Sequence, residues 1–203
     1  VERITGQAPS ALVLHFLRIG QEYQFPWDDA ARRRVVELVG GGMAAARALY
    51  GDRVAAGETQ LLLAQLQAAS IVDGLQLDTD ALIAALLAEA PACDDYAAAE
   101  AEHQFGASIV HMIDLMWRLR EMASGSLQDV GEQQLEKLRR MLLDQASDVR
   151  VILIALARRV QLMRVLKHLP ADQQKAIATQ TQRIHAPLAN RLGVWQLKWE
   201  LED

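Results

Sequence analysis

Apolar residues recur at three- and four-residue spacing along nearly the whole chain, and this periodicity constrains the fold more than any other feature. Such spacing places apolar side chains on one face of an α-helix. Strong helix formers such as Ala and Leu dominate, and the alternation of β-branched residues that is typical of strands is scarce. The sequence therefore predicts an all-α bundle of roughly nine to eleven helices in a single domain.

Glycines and capping residues divide this pattern into separate helices. Residues 10–23 predict a first amphipathic helix. The triple glycine 40–42 could interrupt the next helix or let it pack closely against another. Gly74 is a candidate C-cap. Either Asp78 or Thr79 is expected to cap the apolar helix that follows, because both side chains can accept a backbone hydrogen bond.

Overall charge and cysteine content exclude several classes of protein. A net charge of −5 at pH 7 argues against a general affinity for nucleic acid or for anionic membranes. The single cysteine, Cys93, cannot form an intramolecular disulfide and fits a reducing compartment. No apolar run approaches the roughly 20 residues that span a membrane, and the opening residues lack a signal-peptide pattern. We expect a cytoplasmic protein without membrane contact.

Two adjacent arginines, Arg158 and Arg159, interrupt an apolar helical run in "VILIALARRVQLMR". Charged side chains are rarely buried unless they are paired. No turn residue accompanies the two arginines, so the helix is expected to continue through them. Two arginines inside an apolar helical run therefore need a structural or functional explanation.

The segment that contains these arginines, "DVRVILIALARRVQLMRVLKHL" (148–169), is followed by "RIHAPLANRLGVWQLKWELED" (183–203). Together the two segments resemble the RelA/SpoT family, the bacterial enzymes that make and degrade the alarmone (p)ppGpp. Shorter family-like segments precede them in the same order, such as "AALLAE" (84–89) and "QFGASIVHMIDLM" (104–116). The resemblance covers roughly residues 44–203 and is strongest at the C-terminal end.

The resemblance assigns residues 1–203 to the family's hydrolase domain, a helical bundle of the His-Asp (HD) superfamily. Residues 1–40 would be an N-terminal helical extension. Residues 183–203 would form the helix that leads to a synthetase domain, which we expect beyond Asp203. In active relatives, histidines and carboxylates of the HD domain hold a divalent ion, typically Mn²⁺. The ion lowers the pKa of a bound water for attack on phosphorus.

This sequence departs from the family pattern at every position that the resemblance assigns to the hydrolase site. The equivalent residues are Leu63, Ala88, Glu89, Ala92, Cys93, Arg158 and Leu162. Only Glu89 among the expected metal ligands retains an oxygen donor, and Arg158 stands where a carboxylate would bind the cation. We therefore predict no catalytic residue and no metal site in this chain. Asp94 and Asp95 follow directly, and we expect one of them to cap the next helix rather than replace a lost carboxylate pair.

Arg158 is the most informative of these positions. One hypothesis is that its guanidinium occupies the place of the lost metal and pairs with Glu89, because an unpaired carboxylate in a dry pocket is costly. The alternative is that Arg158 extends to solvent and that the pocket has collapsed.

The resemblance implies an inactive regulatory HD domain in the synthetase-only branch of the family. The longer protein would transfer pyrophosphate from ATP to GTP or GDP with Mg²⁺, in response to uncharged tRNA on a stalled ribosome. Its ribosome and tRNA contacts would lie in C-terminal regions beyond this chain. The HD domain would control its own synthetase domain, and homodimer formation is left open. Trp195, Leu197 and Trp199 are the expected contacts with the synthetase domain.

Two alternatives remain. The former hydrolase pocket could be retained as a guanine-nucleotide-binding module, with Arg158, Arg159 or Arg164 holding phosphates. The chain could also be a metal-dependent (p)ppGpp hydrolase with rearranged ligands.

Overall fold

The computed structural model describes residues 29–51, 53, 61–123, 131–145 and 148–203, and the regular structure within these ranges is entirely helical. The prediction of an all-α fold is confirmed. The helices are α1 (Asp29–Tyr50), α2 (Leu61–Gly74), α3 (Thr79–Leu86), α4 (Ala98–Phe105), α5 (Ala107–Ala123), α6 (Glu132–Gln145), α7 (Val149–Val165), α8 (Ala171–Gln180), α9 (Ala186–Arg191) and α10 (Trp195–Glu202). Short 3₁₀ turns cover Ala90–Ala92 and Leu166–His168. The predicted helix over 10–23 lies outside the described residues, as do residues 1–28 of the predicted extension.

Helix α3 forms the centre of the bundle. Its apolar residues run "ALIAAL" without a polar face, and Leu82, Ile83 and Leu86 are fully buried. A helix that is apolar on all sides must be covered on all sides. Helices α1, α2, α5 and α7 pack around α3 and provide that cover.

The triple glycine does not interrupt α1, which continues through all three residues and past position 40. A Cβ added at Gly42 would lie 3.2 Å from Cγ2 of Ile83, whereas one added at Gly40 would meet nothing within 4 Å. Gly42 therefore allows the close approach of α1 to α3. Of the two expectations for this triplet, close packing is the one observed.

The ends of the helices follow local chemistry in part. Asp78 caps α3, with its Oδ1 accepting a 2.9 Å hydrogen bond from the Ala81 N–H. Gly74 is the last residue of α2, but the left-handed residue that turns the chain there is Gln76, at φ 60°. The expected cap at Asp94 or Asp95 is wrong, because α4 begins after Ala97 and no side chain caps it.

Helices α8 and α9 are joined without a break by a π-helical turn over Thr181–His185. Thr181 Oγ1 donates to the Ile177 carbonyl at 2.7 Å inside this stretch. The joined helix lies beside α7, and α10 packs against both α7 and α9. None of the helices in the described ranges is long and apolar enough to cross a membrane.

Candidate functional site

A cavity of about 620 Å³ opens between α2, α5, α7 and the joined helix α8–α9. Its volume is within the range of small-molecule sites, which is roughly 300–1,000 Å³. Most of its lining is aliphatic: Leu61, Ala64, Ala68, Met116, Leu119, Leu142, Ile152, Ala155, Leu156, Leu162, Ile177, Ile184 and Leu188. The polar lining consists of Gln65, Glu89, Arg120, Arg158, Arg159, Gln161, Gln180 and His185.

Glu89 is held at the edge of this cavity by the backbone that follows α3. The buried Tyr50 hydroxyl donates to the Leu86 carbonyl at 2.9 Å and accepts from the Glu89 N–H at 3.3 Å. Burial raises the pKa of Tyr50 well above its ordinary value, so the hydroxyl keeps its proton. The last turn of α3 and the Glu89 backbone are thereby tied to α1.

The Glu89 carboxylate lies between two guanidinium groups. Arg158 donates from Nη2 to Glu89 Oε1, and Arg120 Nη1 lies 2.8 Å and 2.6 Å from the two carboxylate oxygens. Arg120 also packs over the Trp117 ring, 4.8 Å from its centroid. The hypothesis that Arg158 pairs with Glu89 agrees with this geometry. The alternative is wrong on both points, because the Arg158 side chain is only 21% exposed and the cavity remains open.

Arg159 points its guanidinium to a neutral partner. Its Nη2 donates to the Oε1 of Gln180, and no carboxylate pairs with it among the described residues. Burial lowers the pKa of Arg159 to about 10, and the positive charge of Arg158 is the second, smaller cause. Because this value lies well above neutral pH, the guanidinium stays charged. Three guanidinium groups thus face one carboxylate in the described lining of the cavity.

His185 closes the π-helical turn beside Arg159. Its Nδ1 lies 3.3 Å from the Gln180 carbonyl oxygen. Burial, and to a smaller extent the charge of Arg159, lowers the pKa of His185 to about 3. The imidazole is therefore neutral at physiological pH and adds no charge to the cavity. π-Helical turns occur frequently at functional sites.

Two glutamines bring amide groups to the α2–α7 side of the cavity. Gln161 Nε2 donates to Gln67 Oε1 at 3.2 Å. The Gln65 side chain is 4% exposed, and its Oε1 has no hydrogen-bond partner within the described structure. A buried acceptor without a partner is costly and is rare in folded proteins.

The structure brings four of the predicted pocket residues to the cavity, namely Glu89, Arg158, Arg159 and Leu162. It places the others elsewhere. Leu63 is 46% exposed on α2, and Ala88 is buried in the α3 core. Ala92 and Cys93 lie at the 3₁₀ turn, where burial raises the pKa of the Cys93 thiol. Arg164 is half exposed and pairs with Glu200 on α10.

No sequence signal marks Arg120, Gln65 or Gln180 as cavity residues. Arg120 is 31 positions from Glu89 and meets it only because α5 packs against α3. Spacing along one helix could not reveal this contact. Gln65 lies two positions after Leu63 on the same helix. The family resemblance therefore identified a neighbouring position but not Gln65 itself.

The aligned positions do not fit a divalent metal ion. A structural or catalytic site needs several imidazole, thiolate or carboxylate ligands around one point. Across the described ranges, no group of three or more His, Cys, Asp or Glu side chains could hold a metal ion. The remaining carboxylate, Glu89, is already engaged by two cations.

The chain matches the HD domain family over residues 43–195. The chain belongs to the HD-domain family. The curated relatives that it matches carry names of the RelA/SpoT group. The GTP pyrophosphokinase of Myxococcus xanthus is 38% identical over 144 residues, which are 70% of this chain and 19% of that protein.

Relatives with hydrolase names are equally similar. The guanosine-3′,5′-bis(diphosphate) 3′-pyrophosphohydrolase of Haemophilus influenzae is 39% identical over 135 residues, which are 66% of this chain and 20% of that protein. The chain thus spans about a fifth of the length of the curated relatives it matches.

A solved structure supports the fold. It is described as that of a metazoan ortholog of SpoT that hydrolyzes ppGpp, and it matches 81% of this chain and 91% of its own with a TM-score of 0.58. Because the two sequences are only 16% identical, the match concerns the fold alone.

The C-terminal helix α10 exposes part of its aromatic surface. Trp195 and Trp199 are 57% and 61% exposed, and the Lys198 ammonium lies 5.1 Å and 5.2 Å from their ring centroids. Leu197 is buried against the HD core. Of the three residues expected to contact a synthetase domain, the two tryptophans are therefore available for contact and Leu197 is not.

Proposed function

We propose that this chain is a catalytically inactive, regulatory HD domain within a longer GTP pyrophosphokinase. The observation that carries the proposal is the contact between Arg158 and Glu89. At the position that the family resemblance assigns to a metal-binding carboxylate, a fixed guanidinium meets the one carboxylate that remains.

Loss of hydrolysis follows from the chemistry of this pair. Metal-dependent attack on phosphorus needs a cation that polarises the phosphoryl oxygen and lowers the pKa of a bound water. A guanidinium can donate hydrogen bonds to a phosphoryl oxygen, but it has no coordination position for a water and so cannot generate the hydroxide nucleophile. It also repels a divalent ion from the same place. We therefore propose that the chain needs no metal of its own.

Regulation would act through contacts that differ between two states of the longer protein. The exposed Trp195 and Trp199 offer an aromatic surface for its synthetase domain, which would use Mg²⁺ with ATP and GTP or GDP. Ribosome and uncharged-tRNA contacts would belong to other regions of the longer protein, in the cytoplasm. Homodimer formation remains a further proposal for the same surface.

The test has two parts. The 203-residue chain is incubated with ppGpp and Mn²⁺, and pyrophosphate release is expected to stay at the level of buffer alone. The rate of ppGpp synthesis by the longer protein is then compared with and without residues 1–203, and it is expected to change. Metal-dependent turnover would contradict the loss of hydrolysis, and identical rates would contradict the regulatory role.

A second candidate function is the guanine-nucleotide-binding module. The cavity volume and the excess of guanidinium groups support it. The absence of a Phe, Tyr or Trp ring from the described lining counts against it, because such rings commonly stack on nucleobases. Calorimetric titration with GDP and ppGpp tests it, and binding heat that disappears in Arg158→Ala is the expected result.

A further inference from the structure

Among the described residues that line the cavity, Arg159 is the cation whose charge no carboxylate compensates. The charge of Glu89 is compensated by Arg158 and Arg120, while Arg159 meets only the neutral amide of Gln180 within the described chain. A partly buried guanidinium favours a carboxylate or phosphate, which it can bind through two hydrogen bonds. Arg159 therefore defines an anion position on the α7 wall.

Gln65 provides a second, independent position on the neighbouring helix α2. Its Oε1 is buried in the cavity lining and has no hydrogen-bond partner among the residues that the structure describes. A ligand hydroxyl would satisfy this acceptor and remove the cost of leaving it unpaired. The ligand that fits both positions carries an anionic group and a hydrogen-bond donor.

The remaining lining residues of the cavity indicate the chemical character of the non-ionic part of the ligand. Thirteen of the 21 lining residues are aliphatic, on both sides of the cavity. Each CH₂ group of an aliphatic chain that such surroundings remove from water favours binding. Four of the remaining eight are the charged groups already described, so few side chains are left to read the polar edges of a purine.

We propose that the cavity binds an aliphatic hydroxy carboxylic acid, with its carboxylate on Arg159, its hydroxyl on Gln65 Oε1 and its chain among the aliphatic residues of α2, α7 and α8. This assignment does not depend on the regulatory role proposed above. Control of a synthetase could fail its test while the ligand still binds, and the reverse also holds.

The experiment is calorimetric titration of the 203-residue chain with 3-hydroxydecanoate below its micelle concentration. Decanoate, which lacks the hydroxyl, and 1,3-decanediol, which lacks the carboxylate, are matched probes. Arg159→Gln is expected to weaken binding of 3-hydroxydecanoate roughly tenfold or more, the effect of losing about 1.4 kcal/mol. Arg164→Gln, on the same helix but outside the cavity, is the matched control and should bind as the unmodified chain does.

Two further variants keep the result independent of folding defects. Ala155→Met fills aliphatic space without removing a charge and should also weaken binding, whereas Arg159→Lys keeps a cation and should retain part of the affinity. Circular dichroism checks that each variant remains helical. Gln65→Met should abolish the preference for 3-hydroxydecanoate over decanoate.

Several outcomes would overturn the proposal. Failure of 3-hydroxydecanoate to bind the unmodified chain would do so directly. Equal loss in Arg159→Gln and Arg164→Gln would indicate non-specific association. Equal affinity for the two acids would remove the role of Gln65. Tighter binding of GDP that depends on Arg158 would favour the nucleotide module instead.

Discussion

At the residue scale, Glu89 is the position on which the charges of the site depend. Its side chain is 15% exposed and is shared by Arg158, itself 21% exposed, and by the more exposed Arg120. When one member of a buried ion pair is removed, the charge left behind costs more than the intact pair contributed. Glu89 thus stabilises the fold mainly by preventing an uncompensated guanidinium inside it.

Glu89→Gln is expected to lower the free energy of unfolding by about 2 kcal/mol, because it leaves Arg158 without a counter-charge. The double variant Glu89→Gln/Arg158→Met should lose less than Glu89→Gln alone. Urea unfolding measures both. Glu200→Gln, which breaks the exposed pair with Arg164, serves as the control and should cost less than about 1 kcal/mol. Equal losses in Glu89→Gln and Glu200→Gln would contradict this account.

His185 gives the fold a dependence on pH. Its pKa is about 3 in the folded chain, against about 6.5 in an unfolded one. Below pH 6.5 the unfolded chain binds a proton at His185 that the folded chain does not bind. The free energy of unfolding therefore decreases as the pH falls. Between pH 7 and pH 5 this residue should cost about 1–2 kcal/mol.

Urea unfolding at pH 7 and pH 5 checks this expectation in three proteins. The loss of stability on acidification should be smaller in His185→Gln than in the unmodified chain. His168→Gln, which changes an exposed histidine, should behave as the unmodified chain does. An unchanged pH dependence in His185→Gln would show that His185 is not the titrating group.

At the element scale, the contact between α1 and α3 depends on one glycine of three. Gly42 leaves room for Ile83, and Gly40 faces open space on the same helix. The two positions share a helical backbone, so their propensities alone would make them respond alike to substitution. The space around each glycine, which differs between the two positions, therefore decides the effect of a substitution.

Gly40→Ala should raise the free energy of unfolding by up to about 1 kcal/mol, because alanine restricts the unfolded chain and favours helix. Gly42→Leu should lower it by about 1–3 kcal/mol, because the larger side chain must displace Ile83. Thermal and urea unfolding distinguish the two. Stabilisation by both substitutions would mean that α1 does not approach α3 as closely as described.

Sequence patterns anticipated the elements whose causes are local. The apolar period predicts the helices, and the carboxylate of Asp78 predicts the start of α3. The joined helix α8–α9 runs through Pro187, and the Arg183 carbonyl, to which a proline cannot donate, accepts from Arg139 on α6, a contact that no local signal reports. For the same reason Arg158 could be matched with Glu89 only through the family resemblance. Arg120 and Gln65, which the pattern does not include, could not be found.

At the scale of the whole molecule, α10 joins two kinds of surface. Leu197 and Leu201 are buried against the bundle, while Trp195 and Trp199 face outward around Lys198. Exposed tryptophans contribute little to the stability of a chain but often contribute strongly to an interface. Helix α10 can therefore be altered on one face without disturbing the other.

Trp195→Ser/Trp199→Ser should leave the free energy of unfolding of this chain within about 0.5 kcal/mol of its original value. In the longer protein the same pair of substitutions should change the rate of ppGpp synthesis or its activation. Leu197→Ala is the contrasting control and should cost about 3 kcal/mol of stability. Unaltered synthesis in the double tryptophan variant would mean that this surface does not contact the synthetase domain.

Under the proposed function, in which Arg158 stands in place of a metal ligand, the site would also be filled in a different way. A bound ion is held at equilibrium, so its occupancy follows the free concentration of that ion and can be removed by a chelator. The charge on Arg158 is covalently attached and is synthesised together with its partner Glu89. Its presence is therefore independent of the cell's manganese supply. Thermal unfolding curves recorded in EDTA and in MnCl₂ should coincide for this chain, as they would not for a domain that is assembled around an exchangeable ion.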